Sequence, residues 1–382
     1  MTFELTPEQQ DIQRTTRAFA EAEIAPIAAQ IDDEASFPKT TVAKLGEMGL
    51  LGMNIPAEYG GPGADFVSLA LATKEVSRAC ASHGVVMSSM NGLVCWPLLT
   101  YGSEAQKRRY LPELAQGRLL GAFCLSEPGS GSDAAGLQTT AQEDGADYVL
   151  NGSKAWASNG GEAGVFLVFV RTDATQKQKG ISCLVVDRET PGLTVGRKER
   201  TMGIRGSSTV QVHFENARVS RERLVGAPGQ GFPIALATLD GGRFGIGAQA
   251  TGVAMACLEE AVAYAGQREA FGEVIGHFQS IRAMLAEVAT NIEAARWLTL
   301  HAAWLRDQGR PAGTAGSMAK LFASRTAVAA ADANVQIHGG VGYTRDFPAE
   351  RHYRDAKILE IYEGTTQIQQ MVIADSLLGR HR

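Results

Sequence analysis

The segment KILEIYEGTTQIQ, Lys357 to Gln369, holds the carboxylate whose setting best suits chemistry. Ile358, Ile361 and Tyr362 are spaced as one helical face, Gly364 reads as a helix stop, and Thr366 with Gln369 makes a capping box for a following helix. Glu363 is therefore expected at a junction between two helices. A negative charge at a helix C-terminus opposes the macrodipole, and apolar neighbours such as Ile361 and Tyr362 raise a carboxylate's pKa further. Such a group is suited to act as a base near neutral pH. The same residues also describe an exposed surface glutamate.

Three other segments could touch a ligand. In GAFCLSEPGSGSDAAG, Gly121 to Gly136, the residues Gly129, Gly131 and Ala134 fit a relaxed GxGxxA dinucleotide turn. That fingerprint needs a helix directly after its glycines, whereas Leu137 to Gln142 reads as a strand, so a nicotinamide-binding Rossmann unit is rejected. In NGSKAWASNGG, Trp156 stands beside Ser158 and Asn159; it is either core or the cover of a planar cofactor whose edge a hydroxyl bonds. In QIHGGVGY, Gln336 to Tyr343, three glycines allow either close approach to a ligand phosphate or a simple chain reversal. The basic run RKERTMGIR, with Arg197, Lys198, Arg200 and Arg205, is either a solvated loop or a phosphate contact. No GxSxG elbow, GxxxxGK[ST] loop or HExxH is present. The five cysteines show no CxxC and no zinc spacing, so no metal is expected, and their scattered, odd number suits a reducing compartment.

A chain of 382 residues has room for two or three domains. With 45% hydrophobic and 20% charged residues it has the composition of a folded globular protein. A formal net charge of −5 gives no field for a polyanion, which disfavours nucleic acid. The start MTFELTPEQQ lacks the features of a secretory or transit segment. The longest strongly apolar run, Val165 to Val170, is far short of the roughly 20 residues a membrane span needs, so the expectation is a cytoplasmic protein without membrane insertion.

The pattern along the chain divides it in three. Residues 1–120 carry helix signals: a Thr6–Gln9 capping box with Pro7 at the first helical position, the run FVSLALATKEVSRACAS, and SEAQKRRYLPELAQG capped by Ser103 and stopped at Gly117. Residues 121–231 carry short β-branched and aromatic runs with turn residues between them, and Asn151-Gly152 is the strongest hairpin signal. Residues 232–382 return to the helical period; Ile281, Leu285, Val288, Ile292 and Leu298 form a stripe long enough for a bundle helix. The expected fold is mainly α with a central, mostly antiparallel β domain.

Together the segments YLPELAQG, FCLSEPGSGSD, WASNGG, REAFG with its later FQSIR, QIHGGVGY and PAERHYRDAKILEIYEGT, in this order, resemble the acyl-CoA dehydrogenase family of flavoproteins. The match runs through nearly the whole chain and is nearest the short-chain, butyryl-CoA type. The resemblance implies an N-terminal helical domain, a middle β domain and a C-terminal four-helix bundle. It also implies a homotetramer, a dimer of dimers, with FAD at a subunit interface.

Carried over position by position, the resemblance puts Phe123, Leu125 and Ser126 along the flavin ring, with Ser126 bonding its pyrimidine end. Trp156 and Ala157 flank the ring and Ser158 meets the N5 region. Arg268, Phe271, Gln279 and the loop Gln336, Ile337, Gly339, Gly340 contact the adenine and diphosphate of FAD held mainly by a neighbouring subunit. Thr365 and Gln367 complete the cofactor site. Ser132, the segment Asp240 to Arg243, Tyr362 and Gly364 match substrate-binding positions around the CoA thioester. The isovaleryl and long-chain branch keeps its catalytic glutamate one residue before the arginine of the segment matching LDGGR, which here is Gly242; its glycine falls where this chain has Glu363. The resemblance thereby assigns the base to Glu363.

The implied reaction is α,β-dehydrogenation of a short- to medium-chain acyl-CoA to the trans-2-enoyl-CoA, as in fatty acid β-oxidation. Hydrogen bonds to the thioester carbonyl, in the family from the base's own backbone N–H and a flavin ribityl hydroxyl, stabilise enolate-like charge while Glu363 removes an α-proton and the β-hydrogen leaves as hydride to flavin N5. An electron-transfer flavoprotein is the implied acceptor. Met87, Met90, Leu93 and Trp96 either limit the depth of the acyl cavity or pack as helical core. Two alternatives remain: the same chemistry on a branched, aromatic or carrier-protein-bound thioester, and a non-catalytic helical binding protein.

Overall fold

A computed structural model describes residues 4–379. The N-terminal part is built from helices α1 (Pro7–Phe19), α2 (Ala28–Glu34), α3 (Lys39–Glu47), α4 (Phe66–Ala79), α5 (Ala81–Ser88), α6 (Trp96–Tyr101) and α7 (Glu104–Ala115). The expected Thr6–Gln9 capping box forms, and the expected Ser103 cap makes one with Gln106: Thr6 accepts from Gln9 N and Ser103 from Gln106 N, and each glutamine side chain bonds back to its cap. α4 is buried along nearly its whole length.

The middle part holds β1 (Gly121–Cys124), β2 (Thr140–Asp144), β3 (Asp147–Ala157), β4 (Val165–Arg171), β5 (Ile181–Asp187), β6 (Leu193–Lys198), β7 (Val210–Ser220) and β8 (Leu224–Val225). The strand order is β6-β7-β3-β2-β4-β5-β8, with β1 beside β4. The pairing is antiparallel except for β1 with β4 and the single β2–β4 pair. The run VFLVFV in β4 is buried on both faces: Leu167 and Phe169 face the helical core, and Phe166, Val168 and Val170 face β3 and β7.

Two local expectations are corrected here. Asn151-Gly152 is not a hairpin turn but lies inside β3, where pairing with β7 slips between Leu150 and Gly152; the β2–β3 turn is at Gly145, whose φ is +63°. The strand expected from Leu137 begins at Thr140, after a 3-10 turn at Ala134–Gly136.

The C-terminal part is α8 (Gly231–Ala265), the small hairpin of β9 (Glu269–Ala270) and β10 (Glu273–Val274), then α9 (Gln279–Asp307), α10 (Gly313–His338), α11 (Ala349–Lys357) and α12 (Thr366–Leu377). Val288 and Ile292 of the expected α9 stripe are buried. α8 packs against α10, α9 and α4, so it joins the bundle to the N-terminal helices and is apolar nearly all round. Among the described residues no helix is long and apolar enough to cross a membrane.

Candidate active site

Glu363 sits on a reversal between helices, but the helix before it ends earlier than its spacing suggests. α11 stops at Lys357, a 3-10 turn covers Ile358–Glu360, and Glu363 (φ +51°) and Gly364 (φ +93°) are consecutive left-handed residues. α12 is capped by Thr365, which accepts from Ile368 N, and not by Thr366. Gln369, expected in the capping box, donates instead to Glu363 O (3.2 Å) and Gly364 O (2.9 Å). Lys320 of α10 also donates to Gly364 O, at 2.6 Å. A left-handed non-glycine residue costs on the order of 1 kcal/mol and persists only where its surroundings hold it. These bonds supply that restraint, and the Tyr362 hydroxyl anchors the turn from the other side by donating to Gln249 Oε1.

The Glu363 carboxyl points into the protein. Its Oε2 is buried without a hydrogen-bond partner. Burial raises its pKa to about 7, opposed by the charges of Lys320 and Arg243. The cause is thus desolvation, not the macrodipole of a preceding helix, since α11 has already ended. Among the described residues the Glu363 backbone N–H meets no acceptor. A basic carboxylate and a free N–H on one residue can remove a proton and bind the oxyanion that results.

Gly242 faces this carboxylate across the site: a Cβ there would lie 2.5 Å from Glu363 Oε2. Gly242 lines a cleft between α4, α8 and the helices around Ser88 to Trp96, with Asn91, Gly92 and Arg306 on its walls. Of the four residues expected to limit an acyl cavity, Trp96 lines this cleft and the Leu93 side chain lies near Gly242, whereas Met87 and Met90 are buried core. Arg243 is buried, pairs with Asp240 and donates to Ser317 Oγ at 2.9 Å. Arg306 was not foreseen; its guanidinium stacks over Phe66 (4.3 Å) and Trp96 (5.0 Å).

The two β-domain segments are locked to each other. Glu127 accepts from Gln138 N (2.6 Å), Thr139 N (2.9 Å) and buried Lys154 Nζ (2.7 Å), and Lys154 also reaches Leu125 O. Ala155 N donates to Ser126 O at 2.9 Å, which sets Ser126 beside the strand that ends in Trp156 and Ala157. Trp156 (φ +61°) is 62% exposed, Ser158 is half-buried and Phe123 packs on Phe169. A tryptophan held open on left-handed backbone, next to a fixed serine, fits a planar aromatic cofactor far better than a core role.

Most of the remaining site residues lie on the outer surface of this chain. Phe271 is 99% exposed, Arg268, Gln279, Gln336, Gly339 and Gly340 are exposed, and Ile337 is buried. Thr365 and Gln367 flank the base at the start of α12, while Ser132 is exposed on its loop. The basic run divides: Arg197 and Arg200 are exposed, whereas Lys198 donates to Ala35 O and Arg205 O, and Arg205 approaches Asp32 at 3.8 Å. Lys154, Glu127, Lys320 and Arg306 escaped sequence reasoning. The one signal for Lys320 and Arg306 was a charge within an alanine-rich or apolar run; Glu127 and Lys154 lie in stretches of mixed polarity that gave none.

A buried, unpartnered carboxylate with a raised pKa, facing Gly242 of the cleft, is a group able to abstract a proton. The acyl-CoA dehydrogenase N-terminal, middle and C-terminal domain models match residues 6–118, 122–217 and 229–378. The short-chain specific acyl-CoA dehydrogenase of Mus musculus mitochondria is 49% identical over 381 residues, spanning 100% of this chain and 92% of that protein. Butyryl-CoA dehydrogenase from Megasphaera elsdenii superposes with a TM-score of 0.97 at 40% identity, over 99% of this chain and 100% of that one. A chain solved in work on the electron transferring flavoprotein of Acidaminococcus fermentans gives a TM-score of 0.98 at 44% identity, over 99% and 100%. The protein belongs to the acyl-CoA dehydrogenase family and is an oxidoreductase of that type.

Proposed function

We propose that this enzyme carries out FAD-dependent α,β-dehydrogenation of short- to medium-chain acyl-CoA thioesters, with Glu363 as the base. The observation that carries the reading is the buried, unpartnered Glu363 Oε2, with a pKa of about 7, beside a free backbone N–H. Phe123, Leu125, Ser126, Trp156, Ala157, Ser158, Thr365 and Gln367 hold the flavin. FAD supplies the acceptor for the β-hydrogen. Glu363 takes the α-proton while its N–H bonds the thioester carbonyl, and the cleft excludes water, which strengthens both interactions. Ser132, Asp240, Arg243, Tyr362 and Gly364 border the thioester.

Arg268, Phe271, Gln279 and the loop Gln336 to Gly340 serve the FAD of a neighbouring subunit in a homotetramer. The exposure of Phe271 and of Tyr343, at 99% and 85%, supports a surface covered by another copy. We set the domains at 1–120, 121–231 and 232–382, where helices give way to strands and return. An electron-transfer flavoprotein is the proposed electron acceptor.

Anaerobic titration with butyryl-CoA tests the reading. The purified protein is expected to show a flavin spectrum that bleaches on addition, and Glu363→Gln to keep the spectrum and lose the bleaching. A colourless protein that cannot be reconstituted with FAD defeats the cofactor assignment. Bleaching at the wild-type rate in Glu363→Gln defeats the base assignment.

A further inference from the structure

Behind the base lies a group that the reaction as described leaves unused. Ser317, Lys320 and Ser324 share the buried face of alanine-rich α10, each with no exposed surface. An ammonium has three protons to donate, yet among the described residues the one acceptor bonded to Lys320 Nζ is Gly364 O, at 2.6 Å. Among the described residues no carboxylate lies within 4.0 Å of it to form an ion pair.

The charges around this point resolve into pairs, with one exception. On α8, Arg243 is matched by Asp240. On the turn before the base, Glu360 is matched by Lys357 at 2.6 Å. From α12 the facing group is Gln369, which is neutral, and the Tyr362 hydroxyl is spent on Gln249. Lys320 and Glu363 are left without an ion pair of their own; each shifts the other, with Arg243 acting more weakly on both and Glu360 on Lys320, and the two share no hydrogen bond. That separation keeps the carboxylate oxygens free for substrate.

We infer that Lys320 is a positioning residue for the base: it fixes the carbonyl that follows Glu363 and supplies the counter-charge that keeps the carboxylate ionised in a dry site. The inference rests on Glu363 being the base. The direction of the mutual influence agrees with it, since Lys320 is the largest influence lowering the Glu363 pKa against burial. Lys320 is itself pushed down to about 8 by burial, so its charge is present at neutral pH.

The test uses the full-length, flavin-loaded enzyme and kcat/KM for butyryl-CoA from pH 5.5 to 10. Lys320→Met removes charge and hydrogen bond; Lys320→Gln keeps a donor for Gly364 O and removes only the charge. In both, the acidic limb is expected to move to higher pH by about one unit, which lowers kcat/KM about fivefold at pH 7 and about tenfold below pH 6, and leaves it within about twofold of wild type at pH 9.5. Lys320→Arg is expected to restore the limb. An equal loss at every pH, or no change, in the neutral variants overturns the inference. Should neither neutral variant fold, a limb displaced in Lys320→Arg overturns it and a wild-type limb supports it. Glu363→Gln, run alongside, separates the two failures: an active Glu363→Gln removes the base, whereas an inactive one with an unmoved Lys320 limb removes only this role.

Discussion

Gly242 on α8 and Glu363 between α11 and α12 occupy opposite sides of one small volume, with the position of a Gly242 Cβ 2.5 Å from the carboxylate Oε2. Only one of the two residues can carry a side chain into that space. Gly242→Ala is therefore expected to push the base aside and lower kcat about 100-fold, the scale of a displacement near 1 Å, with little effect on cofactor content. Because the two positions address the same volume, the double variant Gly242→Glu with Glu363→Gly is expected to exceed Glu363→Gly in turnover. Steady-state assays check both, and a fully active Gly242→Ala contradicts the packing.

The pH dependence follows from Glu363. In its proposed role as base the carboxylate is the working form, so kcat/KM is expected to rise about tenfold per unit below a midpoint near 7 and to level above it. Glu363→Gln loses at least about 1,000-fold at the plateau, since the amide takes no proton. A midpoint near 4.5 in the free enzyme shows the carboxyl to be open to water.

The same shift has a stability consequence of fixed sign. A carboxyl whose folded pKa is raised from 4.5 to about 7 stabilises the fold fully below pH 4.5, and that contribution is lost as pH rises through 7. The Glu363→Gln protein, which cannot ionise there, is expected to gain in melting temperature over wild type as pH goes from 5 to 8. Thermal denaturation of the flavin-loaded proteins at both pH values measures it; a constant difference excludes a raised pKa.

What the sequence made legible was local or strongly patterned. The Thr6 and Ser103 caps and the buried strand VFLVFV each depend on neighbours within a few positions, and each formed as expected. Asn151-Gly152 misled because a turn dipeptide also suits a bulge, and the partner strand β7 that decides between them lies some 60 residues away. Glu363 was legible as a residue but not as a conformation, for its left-handed backbone is held by Gln369 and Lys320 from other elements. Lys320 itself lay hidden in an alanine-rich helix, whose weak periodicity does not say which face is buried.

Lys154 and Glu127 form a buried pair that no motif announces, and its loss is expected to cost stability before chemistry. Lys154→Met leaves Glu127 with two backbone donors and no counter-charge, so unfolding in urea is expected to show a loss of about 3 kcal/mol. Glu127→Gln in the same chain removes the uncompensated charge and is expected to recover part of that loss. An additive double variant would mean that the pair does not couple.

Trp156 offers a test in which stability and cofactor affinity move in opposite directions. The side chain is 62% exposed, so in the protein without cofactor little packing depends on it, while its φ of +61° is one that glycine adopts without strain. Trp156→Gly is therefore expected to leave the cofactor-free protein unchanged or up to about 1 kcal/mol more stable. The indole that would cover the flavin is lost, and FAD affinity is expected to fall at least tenfold, the loss of an aromatic stack worth about 1.5 kcal/mol. Chemical denaturation of the cofactor-free protein and fluorescence titration with FAD read the two effects separately. If Trp156 were instead core, the substitution would destabilise the cofactor-free protein by about 3–5 kcal/mol, the usual cost of truncating a buried tryptophan.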